Sequence, residues 1–89
     1  MNLEYIKKEI SIYKEKLINK GFVPEKAPNN KANNTARVDM NHCLWMISKI
    51  EIFIDNNDLE SAFKWFGFVQ GCLWCCGLFT TEQMKDYNS

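Results

Sequence analysis

Eighty-nine residues make one domain, and a chain that is 46% apolar and 13% aromatic has enough to build a core, which excludes disorder along its whole length. Its formal net charge of zero excludes a generic nucleic-acid binder, which needs a basic excess to displace counterions. A domain this small buries a modest share of its surface, so disulfides, a metal or self-association are the usual reinforcements.

The zero hides an asymmetry. Residues 1–37 hold eight Lys or Arg against four Glu, and residues 38–89 hold three Lys against seven Asp or Glu. Either the two halves attract each other, or the basic part is an arm for an anionic ligand. No basic stretch followed by an apolar run opens the chain, so no secretory signal is expected. The cytoplasm of a bacterial host is the expected location, with the four Cys as reduced thiols. Ten Asn fit the AT-rich genomes of some bacteria and their phages.

A first helix is predicted over about residues 3–19. Leu3, Ile6, Ile10, Tyr13 and Leu17 recur at heptad spacing, with charge elsewhere. Gly21 ends it in a left-handed turn, after which Phe22 and Val23 pack back. So narrow a stripe suits docking on one or two helices. Residues 24–34 contain two Pro and four Asn and almost nothing to bury. They read as a flexible linker, long enough to let the first helix reach a neighbouring subunit.

A second helix is predicted over about 36–55, capped by Asn34 or Thr35. Leu44, Ile47, Ile50 and Ile54 define its apolar face, which Trp45, Met46 and Phe53 widen. The short turn Asp55-Asn56-Asn57 makes it an antiparallel hairpin with a third helix over about 58–76, which Asn57 caps with Glu60 in a capping box. From Trp65 to Phe79 the one strongly polar side chain is Gln70. A helix apolar on all sides is normally buried on all sides. Part of the third helix is therefore expected to meet another subunit, in a homo-oligomer formed through the first and third helices. Gly77 ends the third helix. Thr80, Gln83 and the Phe79–Met84 pair then mark a short fourth helix over about 81–87.

The apolar run holds about 15 residues, short of the roughly 18–20 that cross a bilayer, so no membrane span is expected. Gly67 and Gly71 lie four apart within it. Each costs helix propensity of about 1 kcal/mol relative to Ala. Close approach of another helix is the natural compensation. Gln70 must have its amide satisfied, by a second copy of itself or by a polar group on the second helix. Trp65 and Trp74 are nine residues apart, about 180° around the helix, so one suits the core and the other an interface. The expected partner surface is Trp65, Gly67, Phe68, Gln70, Gly71 and Trp74.

Cys72 and Cys75 form a CxxC that invites a metal or redox reading. A structural zinc needs four ligands, and the adjacent His42 and Cys43 diverge by roughly 100° on a helix. The pair also sits at a helix C-terminus, where the dipole opposes a thiolate. Small buried hydrophobes are the plainer reading of these Cys. No metal and no cofactor are expected, with a thiol or metal protein using Cys72 and Cys75 as the weaker alternative. His42 is the one histidine, and no nucleophile, phosphate loop or carboxylate pair gathers near it in sequence. No enzyme is expected.

His42-Cys43-Leu44-Trp45-Met46, followed by Lys64-Trp65-Phe66-Gly67-Phe68-Val69-Gln70-Gly71-Cys72-Leu73-Trp74, resembles a group of small phage and prophage proteins of uncharacterised function. Their pattern is His-x-Leu-Trp-Met and then Arg-Trp-Leu-Gly-Phe-x-Gln-Gly-x-Leu-Trp. The resemblance spans about residues 40–88. Lys64 stands here for Arg and Phe66 for Leu, and the Cys positions are ones where the pattern tolerates other residues. The resemblance implies a phage accessory role and names no activity. The expected function is a non-enzymatic accessory protein that binds and neutralises a host component, such as a defence protein. The alternative is an oligomeric sponge for a small anionic nucleotide signal. Lys31, Arg37, His42 and Lys64 would hold its charge near the N-terminus of the second helix, and Trp45 or Trp65 would stack its base.

Overall fold

The structure is a computed structural model that describes residues 2–27 and 36–77, the side chains of 36–38 aside. The fourth helix expected over 81–87 and the caps expected at Asn34 or Thr35 lie outside the described residues. Three helices are present among the described residues and no strand: α1 (Leu3–Asn19), α2 (Ala36–Asp55) and α3 (Leu59–Cys75). No described helix is long and apolar enough to cross a membrane.

Local chemistry fixes the ends. Asn2 caps α1 by accepting the Tyr5 N–H at 2.8 Å. Gly21, at φ 91°, closes it; its N–H donates to the Ile18 carbonyl, and the Phe22 N–H donates to that of Leu17. This is the paired bonding of a Schellman turn. Phe22 packs back on the core, whereas Val23 stays exposed. The same turn ends α2, where Asn57 takes the left-handed position at φ 60° and the Asp58 N–H donates to the Phe53 carbonyl at 2.8 Å. Asn57 is thus the stop of α2 and not the cap of α3. Asp58 is that cap, accepting the Ser61 N–H at 3.3 Å, and Glu60 pairs with Lys64 instead of completing a capping box.

One core joins the three helices. α1 contributes Ile6, Ile10, Tyr13 and Leu17, and α3 contributes Ala62, Phe66, Val69 and Leu73, each set at heptad spacing. α2 lies between them with Met40, Cys43, Leu44, Ile47 and Ile50. Phe53, late in α2, meets Trp65 edge-on at 5.0 Å between ring centroids. The apolar stripe of α1 is therefore used inside its own chain and does not lie open to a neighbouring subunit.

The start of the linker is hydrogen-bonded to α2. The N–H groups of Val23, Glu25 and Ala27 donate to Asn41 Oδ1, the Asn41 carbonyl and His42 Nδ1, at 2.9, 3.2 and 3.0 Å. A backbone with little to bury is held by polar groups of α2, which composition does not reveal.

The α1–α3 contact is partly polar. Gln70 Nε2 donates to both Tyr5 Oη and Tyr13 Oη at 3.2 Å, and the two phenol rings flank Phe66. The Gln70 N–H groups therefore go to α1 and not to α2. Between the tyrosines on the same stripe, Glu9 is only 1% exposed and its Oε2 has no hydrogen-bond partner. Burial holds the Glu9 carboxyl above the ordinary carboxylate range, partly offset by its bond with Tyr13 and by Lys8. Folding then takes up a proton between the unfolded and folded values. Stability is full below the unfolded value and falls as pH rises through the raised folded one. Thermal melts from about pH 4 upward should show that fall, and Glu9→Gln should flatten the profile and raise the midpoint at neutral pH. A flat wild-type profile would refute the buried-carboxyl assignment.

Candidate functional site

Two surfaces gather the residues singled out by the sequence. The first is the outer side of α3. Each residue turns a helix by about 100°, so the buried stripe of Ala62, Phe66, Val69 and Leu73 leaves an opposite arc. On that arc lie Phe63, Gly67, Phe68, Gly71 and Trp74. Phe63, Phe68 and Trp74 are 38%, 59% and 53% exposed. Gly67 and Gly71 lie between the aromatic flanks, and a Cβ built on either would meet nothing within 4 Å. Among the described residues no helix makes the close approach that would offset their cost, so there the pair forms an open floor between aromatic walls.

Of the six residues expected at a partner surface, four share this face. The other two do not. Trp65 is half-buried against Trp45 and Phe53, and Gln70 is taken by Tyr5 and Tyr13. The spacing argument separated Trp65 from Trp74 correctly, with Trp65 inward and Trp74 outward.

The second surface centres on Trp45 of α2. His42 stacks on it at 5.3 Å between centroids, tilted 26°, and Trp65 lies at 5.8 Å. Lys26 Nζ and Lys49 Nζ each sit 5.6 Å from the indole centroid. A cation near an indole face is attracted by the ring quadrupole, and here two ammonium groups share one ring. None of the ion pairs Glu4–Lys7, Lys14–Glu51 and Glu60–Lys64 involves either lysine. Because His42 Nδ1 accepts the Ala27 N–H, the neutral imidazole carries its proton on Nε2. Burial holds its pKa below the usual value, Asp39 opposing and Lys26 reinforcing.

The structure joins His42 to Trp45 as a candidate anion site and adds Lys26 and Lys49, which sequence reasoning missed. Lys49 was legible as one turn beyond Trp45 on the same helix. Lys26 had no signal, because its place depends on the strap that ends at His42. Lys64 is engaged with Glu60 at 3.2 Å. Lys31 and the Arg37 side chain lie outside the described residues. A shallow groove between α1 and α2, lined by Lys7, Ile10, Lys14 and Glu51 among others, holds an ion pair and none of the candidate residues.

The cysteines divide by depth. Cys43 is buried, Cys72 is half-buried, and Cys75 and Cys76 are exposed. The small-hydrophobe reading therefore fits Cys43 and not the exposed pair. Among the described residues no group of three His, Cys, Asp or Glu is arranged to hold a metal ion. Compared with known proteins, the chain matches no family model, no curated protein and no solved structure.

The open glycines yield a direct test. In the free chain Gly67→Ala and Gly71→Ala each remove a helix cost of about 1 kcal/mol and introduce no clash. Urea unfolding at low protein concentration should show each variant more stable by about that amount. A loss of stability instead would mean the glycine floor is covered in solution.

Proposed function

We propose that the chain is a non-enzymatic accessory protein of the phage type that works by binding a host protein through the outer face of α3. The observation that carries this reading is the exposed aromatic face of Phe63, Phe68 and Trp74, with Gly67 and Gly71 open between them. An exposed apolar patch of this kind marks an interaction surface, and a floor of two glycines admits the backbone of another helix. Trp, with its large amphipathic ring, is a frequent anchor of such contacts. The same face supports the homo-oligomer expected from the sequence, now through α3 alone, since the α1 stripe is internal. The phage assignment rests on the resemblance of residues 40–88, and a cytoplasmic location goes with it.

Filling the floor tests the reading without touching the core. Gly67→Leu with Gly71→Leu should melt no lower than wild type. Light scattering should give wild type a mass above the 10.5 kDa of one chain, and the double variant the single-chain mass. A host protein retained by immobilised wild type should be lost with the variant. A wild type that stays at one chain mass and retains nothing from host lysate would overturn the proposal.

A second reading has its own observation, the two lysines over Trp45. Lys26, Lys49 and the Nε2–H of His42 offer donors to a small anionic ligand such as a nucleotide. The stacked His42 already lies on Trp45, so the phosphate end of such a ligand is the part this cluster fits. Thermal melts with a panel of linear and cyclic nucleotides should show a raised midpoint if one binds, lost in Lys26→Ala with Lys49→Ala. No shift with any member would remove this reading and leave the first standing.

A further inference from the structure

One titratable side chain holds down a stretch of backbone. In the strap from Val23 to Ala27 the first four residues are exposed and Ala27 is half-buried, so apolar burial does little to secure it. Three hydrogen bonds to α2 secure it instead. The Val23 N–H donates to Asn41 Oδ1 at 2.9 Å, and the Glu25 N–H donates to the Asn41 carbonyl at 3.2 Å. The Ala27 N–H donates to His42 Nδ1 at 3.0 Å. The two Asn41 oxygens accept at any ordinary pH, whereas an imidazole nitrogen accepts only while it carries no proton. Of the three bonds, the last is the one that a proton can break.

We propose that His42 is a pH-operated latch: a proton on Nδ1 releases Ala27 and lets the far end of the strap, with Lys26, swing off Trp45, while Asn41 keeps the near end docked as a hinge. Two effects of that proton act together. The Nδ1–H and the Ala27 N–H become two donors facing each other at 3.0 Å, and one of them must move away. The ring also becomes a cation on the same indole that Lys26 Nζ and Lys49 Nζ approach, each 5.6 Å from its centroid.

The surroundings decide which side moves. His42 stacks on Trp45 at 5.3 Å between centroids, and an indole face attracts a cation, so the charged ring keeps its place. Lys26 is exposed and adjoins Ala27, so the strap is the side that yields. Burial holds the ring below its usual range. Of the charges facing it, Asp39, one turn back on α2, favours the proton, and Lys26 on the strap opposes it. α3 reaches the stack through Trp65, which is uncharged. The sign follows. The latched form prefers the neutral ring, so the latch is closed at neutral pH and opens as pH falls through the lowered value.

Nitrogen NMR of the whole chain follows both partners. At neutral pH His42 should show the Nε2–H tautomer, with a scalar coupling across the Ala27 N–H···Nδ1 bond. Lowering the pH from about 7.5 to about 4.5, across the histidine range, should charge His42 and remove that coupling. Ala27 should lose hydrogen-exchange protection by about tenfold, as expected for one hydrogen bond, with the same midpoint. The Val23 and Glu25 amides should keep theirs. By linkage, Ala27→Pro, which deletes the donor from an exposed strap, should move the His42 midpoint up toward its ordinary value. An Nδ1–H tautomer at neutral pH would overturn the proposal. So would an Ala27 amide that stays protected while His42 charges, loss of all three strap bonds at once, or an unchanged midpoint in Ala27→Pro. Each result leaves the readings of the α3 face and of the lysine pair untouched.

Discussion

The arrangement of the chain turns on one half-buried polar contact, that of Gln70 with Tyr5 and Tyr13. A lone amide on an otherwise apolar helix cannot stay unpaired in the interior without a cost of about 1–3 kcal/mol. Both N–H groups of Gln70 find phenol oxygens two helical turns apart on α1. That pairing is satisfied in one register, because sliding α1 by a turn would abandon one of the two bonds. Phe66, held between the same two rings, adds apolar contact to the polar selection. Glu9 lies on the stripe between the tyrosines, and its buried carboxyl is the cost that this polar seam carries.

Fixing α1 on one side of α3 also decides what faces outward. α2 takes the neighbouring flank through Trp65, Val69 and Cys72, and α1 takes the flank of Phe66 and Gln70. Two neighbours cover about half the circumference of a helix. α1 turns Lys7, Lys8 and Glu15 to solvent on its far side, as an amphipathic helix does. α3 has charge there only in its opening turns, at Glu60 and Lys64, and these pair with each other. Beyond them the outward arc is aromatic or glycine up to the exposed Cys75.

Much of this was legible from spacing and end chemistry. The bounds of α1, the stop at Gly21, the short α2–α3 turn and the opposed placement of Trp65 and Trp74 all follow from local rules that tertiary packing had no reason to override. Three things were not legible, each for the same reason. The partners of Gln70, the strap from Val23 to Ala27, and the gathering of Lys26 and Lys49 on Trp45 join residues far apart in sequence by single polar groups. Periodicity reports which face of a helix is apolar and is silent on which neighbour supplies a hydrogen-bond partner. Glu9 was hidden differently, since a carboxylate among lysines reads as solvated until its two tyrosine neighbours turn inward. Asn57 and Asp58 both have capping chemistry, and only the left-handed backbone at Asn57 separates their roles.

The all-round apolar character of α3 therefore separates into two parts with different causes. One half is explained inside the chain by α1 and α2. The other half is covered by neither of these two helices, and its glycines sharpen the point. A helix selected only to be stable alone would carry Ala at 67 and 71, where a Cβ meets nothing. Glycine at both positions gives up helix propensity with no return from any contact within the described residues. The return is consistent with something outside them that lies close against the backbone between Phe63, Phe68 and Trp74. That inference depends on the register set by Gln70, because a turn of α3 that buried the glycines against α1 would expose the amide and remove the need for a partner.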